Sequence, residues 1–212
     1  WMHQGKLVPP IKFIPQMEKN GYITLLDQYI WEEVCKWQRS LLDRKIQPVP
    51  VSVNISRVDF YYMDVVSELK GLVEEYGIDP LRLRIEITET AVVNDSIDIF
   101  KIVNELRDYG FIVEMDDFGS GYSSLNLLKD MNIDVVKIDM QFLKDSERNR
   151  KSITIIKNII NMAEELDMAS LTEGVETAKQ YEYLYAMGCK LYQGYYFSKP
   201  VPVEDFEKQW FD

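Results

Sequence analysis

The chain is almost without histidine and cysteine. Its 212 residues include one histidine, His3, and two cysteines, Cys35 and Cys189. A lone histidine with no acidic partner at motif spacing gives little support to a serine or cysteine nucleophile with an imidazole base. The cysteines lie far apart and lack metal-ligand spacing, so they read as small packed apolar residues, and zinc fits poorly. Basic residues are also short, with 24 Lys and Arg against 35 Asp and Glu and a net charge of -11. That balance argues against a general DNA-binding surface. A specific nucleotide ligand stays open if metal ions or local basic groups offset the repulsion. No apolar run is long enough to span a bilayer and no signal peptide is visible, so no membrane segment is expected and the default compartment is the cytoplasm.

What the chain does have is a core. Hydrophobic residues make up 46% and charged residues 28%, with no low-complexity segment, which is the composition of a compact domain. Short β-branched runs recur: "VPVSVNIS", "LRLRIEITE", "FIVEMDD", "VVKID", "MASLTE" and "KLYQGYYF". They lie roughly 20 to 35 residues apart, the size of a strand plus a helix. Between them, Leu26, Ile30, Val34, Trp37 and Leu41 step by three or four and predict an apolar helix face. Ile99, Val103 and Leu106 do the same ahead of Gly110, and Ile156, Ile160 and Ala163 repeat it. Alternating strands and helices, with strands that are near-continuous apolar runs, predict a mainly parallel sheet covered on both faces. A closed eight-stranded barrel typically takes about 250 residues, and six strands fall short of it by one or two strand–helix units. The pattern alone leaves an open doubly wound sheet as the competitor. No linker divides the chain, so residues 1–212 are expected to form one domain. Its opening "WMHQGKLVPPIKFIP" reads as entering part-way through that domain.

The strand ends carry the chemistry. The first run ends in Asn54, the second carries Glu86 and Glu89, and the third ends in Asp116 and Asp117. The fourth bears Lys137 and Asp139, the fifth Glu173 and Glu176, and the sixth Gln193. In a parallel barrel the C-terminal strand ends share one face, where active sites are built. These oxygen-rich residues suit hard divalent cations, Mg²⁺ or Mn²⁺. Two cations about 3.5–4 Å apart activate a water against a phosphoryl group, with Asp116 as the natural bridge and Asp117 beside it. Lys137 stands where negative charge develops or holds the attacking water, or else pairs structurally with Glu173. "GSGYSS" has neither dinucleotide-fingerprint nor P-loop spacing and is expected to supply close backbone approach beside the metals.

Seven stretches, "FIPQMEKNGYI", "VSVNIS", "IEITET", "MDDFGSGYSSL", "VVKID", "TEGVET" and "QGYYFSKP", occur in the order found in a known family. The chain resembles the EAL-domain phosphodiesterases that act on cyclic di-GMP. The resemblance implies a modified TIM-like (β/α) barrel whose first strand runs antiparallel to the rest, with about six of its eight strands present here. It implies dependence on Mg²⁺ or Mn²⁺, with two ions, and hydrolysis of cyclic di-GMP to the linear dinucleotide. By motif position, Asn54, Glu86 and Asp116 are implied as ligands of one metal, and Asp116, Asp117 and Glu173 as ligands of the second. Lys137 is implied to position or activate water, Glu173 to serve as a candidate general base, and Glu89 to steady the glycine-rich loop beginning at Asp117. Glu176 and Gln193 belong to the same pocket. The family's Glu-Ala-Leu stretch, with a metal-ligating glutamate, an arginine that contacts substrate and the first two strands, is expected ahead of Trp1. Ser120 stands where threonine is common, Thr172 where alanine is usual and Met140 where arginine is usual.

The leading expectation is a cyclic di-GMP phosphodiesterase, impaired if cut to the residues given. A receptor that binds the dinucleotide without cleaving it, and a purely structural partner domain, are the alternatives. A homodimer is permitted, as is an upstream sensory or GGDEF-type domain in the parent protein.

Overall fold

The computed structural model describes residues 2–3, 6–92, 98–119, 124–139, 141–144 and 150–211. They fall into two compact units, Trp1–Ile87 with Ala91–Ile112, and Thr88–Thr90 with Val113–Asp212.

The first unit begins with a two-residue antiparallel pair, β1 (Met2–His3) and β2 (Lys6–Leu7). Helices α1 (Ile14–Asn20) and α2 (Ile23–Asp43) follow. Strand β3 (Val51–Ile55), helices α3 (Asp59–Tyr62) and α4 (Val65–Tyr76), strand β4 (Leu83–Thr88), the single turn α5 (Glu89–Val92) and helix α6 (Ile99–Tyr109) come next, of which Thr88–Thr90 count with the second unit. β3 and β4 pair in parallel, with Val51 opposite Leu83 and Asn54 opposite Glu86. The caps explain the helix limits. Asp64 and Asp98 accept the backbone N–H of Ser67 and Lys101 at the starts of α4 and α6. Gly77 and Gly110 end the same helices in the left-handed conformation.

The second unit holds β5 (Ile112–Phe118), α7 (Ser124–Asp130), β6 (Val135–Ile138), α8 (Gln141–Lys144) and α9 (Arg150–Glu165). After these come β7 (Ala169–Thr172), α10 (Ala178–Ala186), β8 (Leu191–Tyr192) and α11 (Val203–Trp210). β5, β6, β7 and β8 pair in parallel in that order. Every residue of β6 is buried, as a strand covered on both faces must be. The six runs picked out in the sequence are the six parallel strands β3 to β8, so the class is α/β.

The helix faces of α6 (Ile99, Val103, Leu106) and α9 (Ile156, Ile160, Ala163) are buried as their spacing predicts. The face of α2 is not. Its buried residues are Ile23, Asp27, Trp31, Cys35, Gln38 and Leu41, while Ile30 is 42% exposed. The fully buried Trp31 sets that face, and two polar residues share it because each finds a partner there. The Gln38 side-chain amide donates to the carbonyls of Val49 and Arg82 at 3.1 and 2.8 Å, tying α2 to the chain entering β3 and β4. Cys35 and Cys189 are both free and buried, and burial pushes the Cys35 thiol up to about 11, as inert packing residues require.

Candidate metal centre

The site grows from an irregularity in β5. Met115 pairs with Val136 and Phe118 with Ile138, so Asp116 and Asp117 together oppose the single residue Lys137. This is a β-bulge. Asp117 turns through it with φ of 53°, a left-handed conformation that Asp and Asn adopt more readily than most residues. In an unbroken strand, consecutive side chains point to opposite faces. Here the bulge brings both carboxylates together, and ligand oxygens of Asp116, Asp117 and Glu173 all lie within 4.8 Å of one another. Glu173 arrives from the end of β7, where its N–H donates to the carbonyl of Ile138 at 3.1 Å and continues the ladder.

Lys137 rises from β6 between these acids. Its side chain is 3% exposed, and its Nζ lies 2.9 Å from Asp116 Oδ1 and 2.8 Å from Glu173 Oε1. A buried ammonium needs such partners, and two carboxylates this close need a cation. Burial raises the Glu173 carboxyl above its ordinary value, against the opposing pull of Lys137. Burial likewise raises Asp117, with the charges of Asp116 and Asp139 adding to it. Asp139 itself is buried and accepts the Gln141 backbone N–H at 2.6 Å.

The other sequence-predicted residues stand around this cluster in different degrees. Glu89 is buried, and its Oε2 accepts the Gly119 backbone N–H at 3.3 Å, at the start of the glycine-rich stretch. Gly119 lies against a wall invisible in the sequence motif: a Cβ there would come within 2.8 Å of the Phe142 ring. Glu176 and Gln193 are exposed, and Glu176 is not among the three clustered carboxylates. Gln193 bonds through its backbone, its N–H to Thr172 and its carbonyl to the N–H of Val175. Gly194 follows because a Cβ would fall 2.2 Å from the Val175 carbonyl oxygen. Asn54 and Glu86 belong to the first unit, side by side in register, and the Asn54 carbonyl accepts the Trp31 indole N–H at 2.9 Å. Thr172 is fully buried with its Oγ1 3.2 Å from Cys189 Sγ. Ser120, Met140 and most of the glycine-rich loop lie outside the described residues.

A bulged aspartate pair and a glutamate from another strand form an oxygen-only donor set suited to a hard divalent cation, with the Lys137 ammonium interposed. The family model described as "EAL domain" matches residues 1–200. The chain belongs to the EAL domain family. It is 36% identical over 204 residues to the signaling protein YkoW of Bacillus subtilis, covering 96% of this chain and 25% of that protein. It is 34% identical over 210 residues to the cyclic di-GMP phosphodiesterase NbdA of Pseudomonas aeruginosa, covering 98% of this chain and 27% of that one. Among solved structures, it resembles the PaMucR phosphodiesterase in complex with c-di-GMP, with a TM-score of 0.89 at 30% identity, covering 97% of this chain and 84% of that one. This EAL domain therefore has the modified TIM-like barrel fold class of its relatives. It spans about a quarter of the length of the curated relatives it matches. No helix among the described residues is long and apolar enough to cross a membrane.

Proposed function

We propose that this EAL domain hydrolyses one phosphodiester bond of cyclic di-GMP, consuming one water and giving the linear dinucleotide, in a reaction that depends on Mg²⁺ or Mn²⁺. The observation that carries the reading is the convergence of Asp116, Asp117 and Glu173 around Lys137. Relatives and structural neighbours named for cyclic di-GMP supply the substrate. Asp116, Asp117 and Glu173 would hold the cation, and Asn54 and Glu86 join the ligand set by motif position. A bound divalent cation supplies Lewis acidity and a water of lowered pKa. Lys137 offers its ammonium to the charge that builds on the phosphoryl oxygens. Glu173, 2.8 Å from Lys137 Nζ, is also the candidate proton acceptor for the attacking water if it is not itself held on the cation. Glu89 holds the backbone at Gly119, and Glu176 and Gln193 are assigned to the dinucleotide pocket.

The purified protein incubated with cyclic di-GMP and Mn²⁺ is expected to yield the linear dinucleotide, read by chromatography. Glu173→Gln and chelation should each abolish product. Full turnover in either condition would refute the mechanism. Tight binding of the dinucleotide with no product under any metal condition would instead establish a receptor.

A further inference from the structure

Two carboxyls in the first unit take no part in the site. Asp27 on α2 is 8% exposed, and Asp59, which opens α3, is fully buried. Asp59 Oδ2 accepts the Ser56 backbone N–H at 2.8 Å. The other oxygens, Asp27 Oδ2 and Asp59 Oδ1, are buried and receive no hydrogen bond from a described donor, although the two side chains lie within hydrogen-bonding reach of each other. Two buried carboxyls in contact are disfavoured as a doubly charged pair. A single O–H···O⁻ bond between the two side chains removes one charge and supplies a donor to a carboxylate that has an oxygen unpaired.

We propose that Asp27 and Asp59 hold one proton between them, and that this shared proton fastens the turn after β3 to helix α2, making both aspartates positioning residues for Asn54. Helix α2 grips that turn at two points one helical turn apart. Trp31, fully buried, donates its indole N–H to the carbonyl of Asn54. Asp27, four residues earlier on the same face, reaches Asp59, which holds the backbone of Ser56 two residues after Asn54. Burial raises the Asp27 carboxyl to about 8, with the charge and hydrogen bond of Asp59 adding to the rise and Ser56 opposing it. Asp59 is the charged group that faces Asp27. Glu18 and Lys19 on α1, Arg57 in the turn, Glu33 on α2 itself and Glu68 and Glu74 on α4 are exposed. A carboxyl raised in this way contributes stability that is complete below its unfolded value of 3.8 and is lost as the pH climbs through about 8.

The role given to Asn54 rests on the function proposed above, so the experiment separates the two. Carbon-13 NMR of aspartate carboxyls in the metal-free protein should show one group titrating near pH 8, absent from Asp27→Asn. Thermal unfolding without metal should lose stability as the pH rises from about 6 to about 8 in the wild type and level off above it. Asp27→Asn, whose amide donates to Asp59 without a titrating proton, should stay flat over that range. Asp27→Ala should be less stable throughout. The Mn²⁺ affinity of the wild type relative to Asp27→Asn, read by electron paramagnetic resonance, should fall several-fold as the pH climbs through about 8. A wild type with no carboxyl titrating above about pH 6, or one retaining a stoichiometric cation by mass spectrometry, overturns the shared proton. A titrating carboxyl without the relative loss of Mn²⁺ affinity overturns the positioning role. Unchanged Mn²⁺ affinity in Asn54→Ala overturns the ligand assignment of Asn54 and leaves the carboxyl result standing by itself.

Discussion

At Asp117 one backbone torsion decides what two side chains can do. The left-handed φ of 53° costs an ordinary L-residue about 1–2 kcal/mol, and it is what turns Asp117 onto the face already occupied by Asp116. Charge and conformation at this position are separable. Asp117→Asn keeps a side chain that tolerates the left-handed region and removes one of two adjoining carboxylates. It is expected to unfold at no lower urea concentration than the wild type, while Mn²⁺ affinity falls by about tenfold or more. Asp117→Val, β-branched and uncharged, should lose the same affinity and roughly 1–2 kcal/mol of stability besides. Equal stability of the two variants in urea unfolding would show that the bulge does not constrain the residue. The doublet "DD" ahead of glycine was visible as an oddity in the sequence. The bulge that explains it was not, because a bulge is a relation between the hydrogen-bond registers of two strands, and Met115, Phe118, Val136 and Ile138 reveal it only when paired.

Among the elements, α2 shows how a partner changes the meaning of a residue. Its apolar residues at 26, 30, 34, 37 and 41 make a face by spacing alone. The buried face instead runs through Asp27, Trp31 and Gln38, since burying a polar group is tolerable once it is hydrogen-bonded. Gln38 bonds two carbonyls on separate segments. Gln38→Ala should therefore cost about 1–3 kcal/mol, the penalty for stranding two part-buried acceptors together with the packing lost. Gln38→Leu should recover little of it, because hydrocarbon of similar volume restores packing but no donor. Urea unfolding of the two variants tests this, and full recovery in the leucine variant would show that Gln38 is held by packing alone. Helices α6 and α9 were legible because their buried faces are apolar without exception. The strands were legible because their apolar runs are bounded by polar ends. The acids of the candidate site stood out for the same reason, each closing such a run, and Lys137 stood out as the single charge inside β6. Asp27, Asp59 and Phe142 were not, since their importance comes from neighbours distant in the chain.

For the molecule as a whole, the net charge of -11 acts on any ligand that is itself an anion. A cyclic dinucleotide with two phosphodiesters approaches against a repulsive field. Under the proposed function, the attraction it would meet is local, from Lys137 and from any cation that Asp116, Asp117 and Glu173 would hold. These two fields differ in range, and salt separates them. Raising ionic strength from about 0.01 M to about 0.1 M shortens the screening length from roughly 30 Å to roughly 10 Å. The distant repulsion is then largely screened, while contacts inside a partly buried site are screened much less. At fixed, saturating Mn²⁺, kcat/KM for cyclic di-GMP should therefore rise with added salt, with kcat nearly constant. An enzyme that draws its anionic substrate in with a basic surface shows the reverse. A steep fall in kcat/KM over this range would mean that positive groups at the site mouth outweigh the charge of the whole chain.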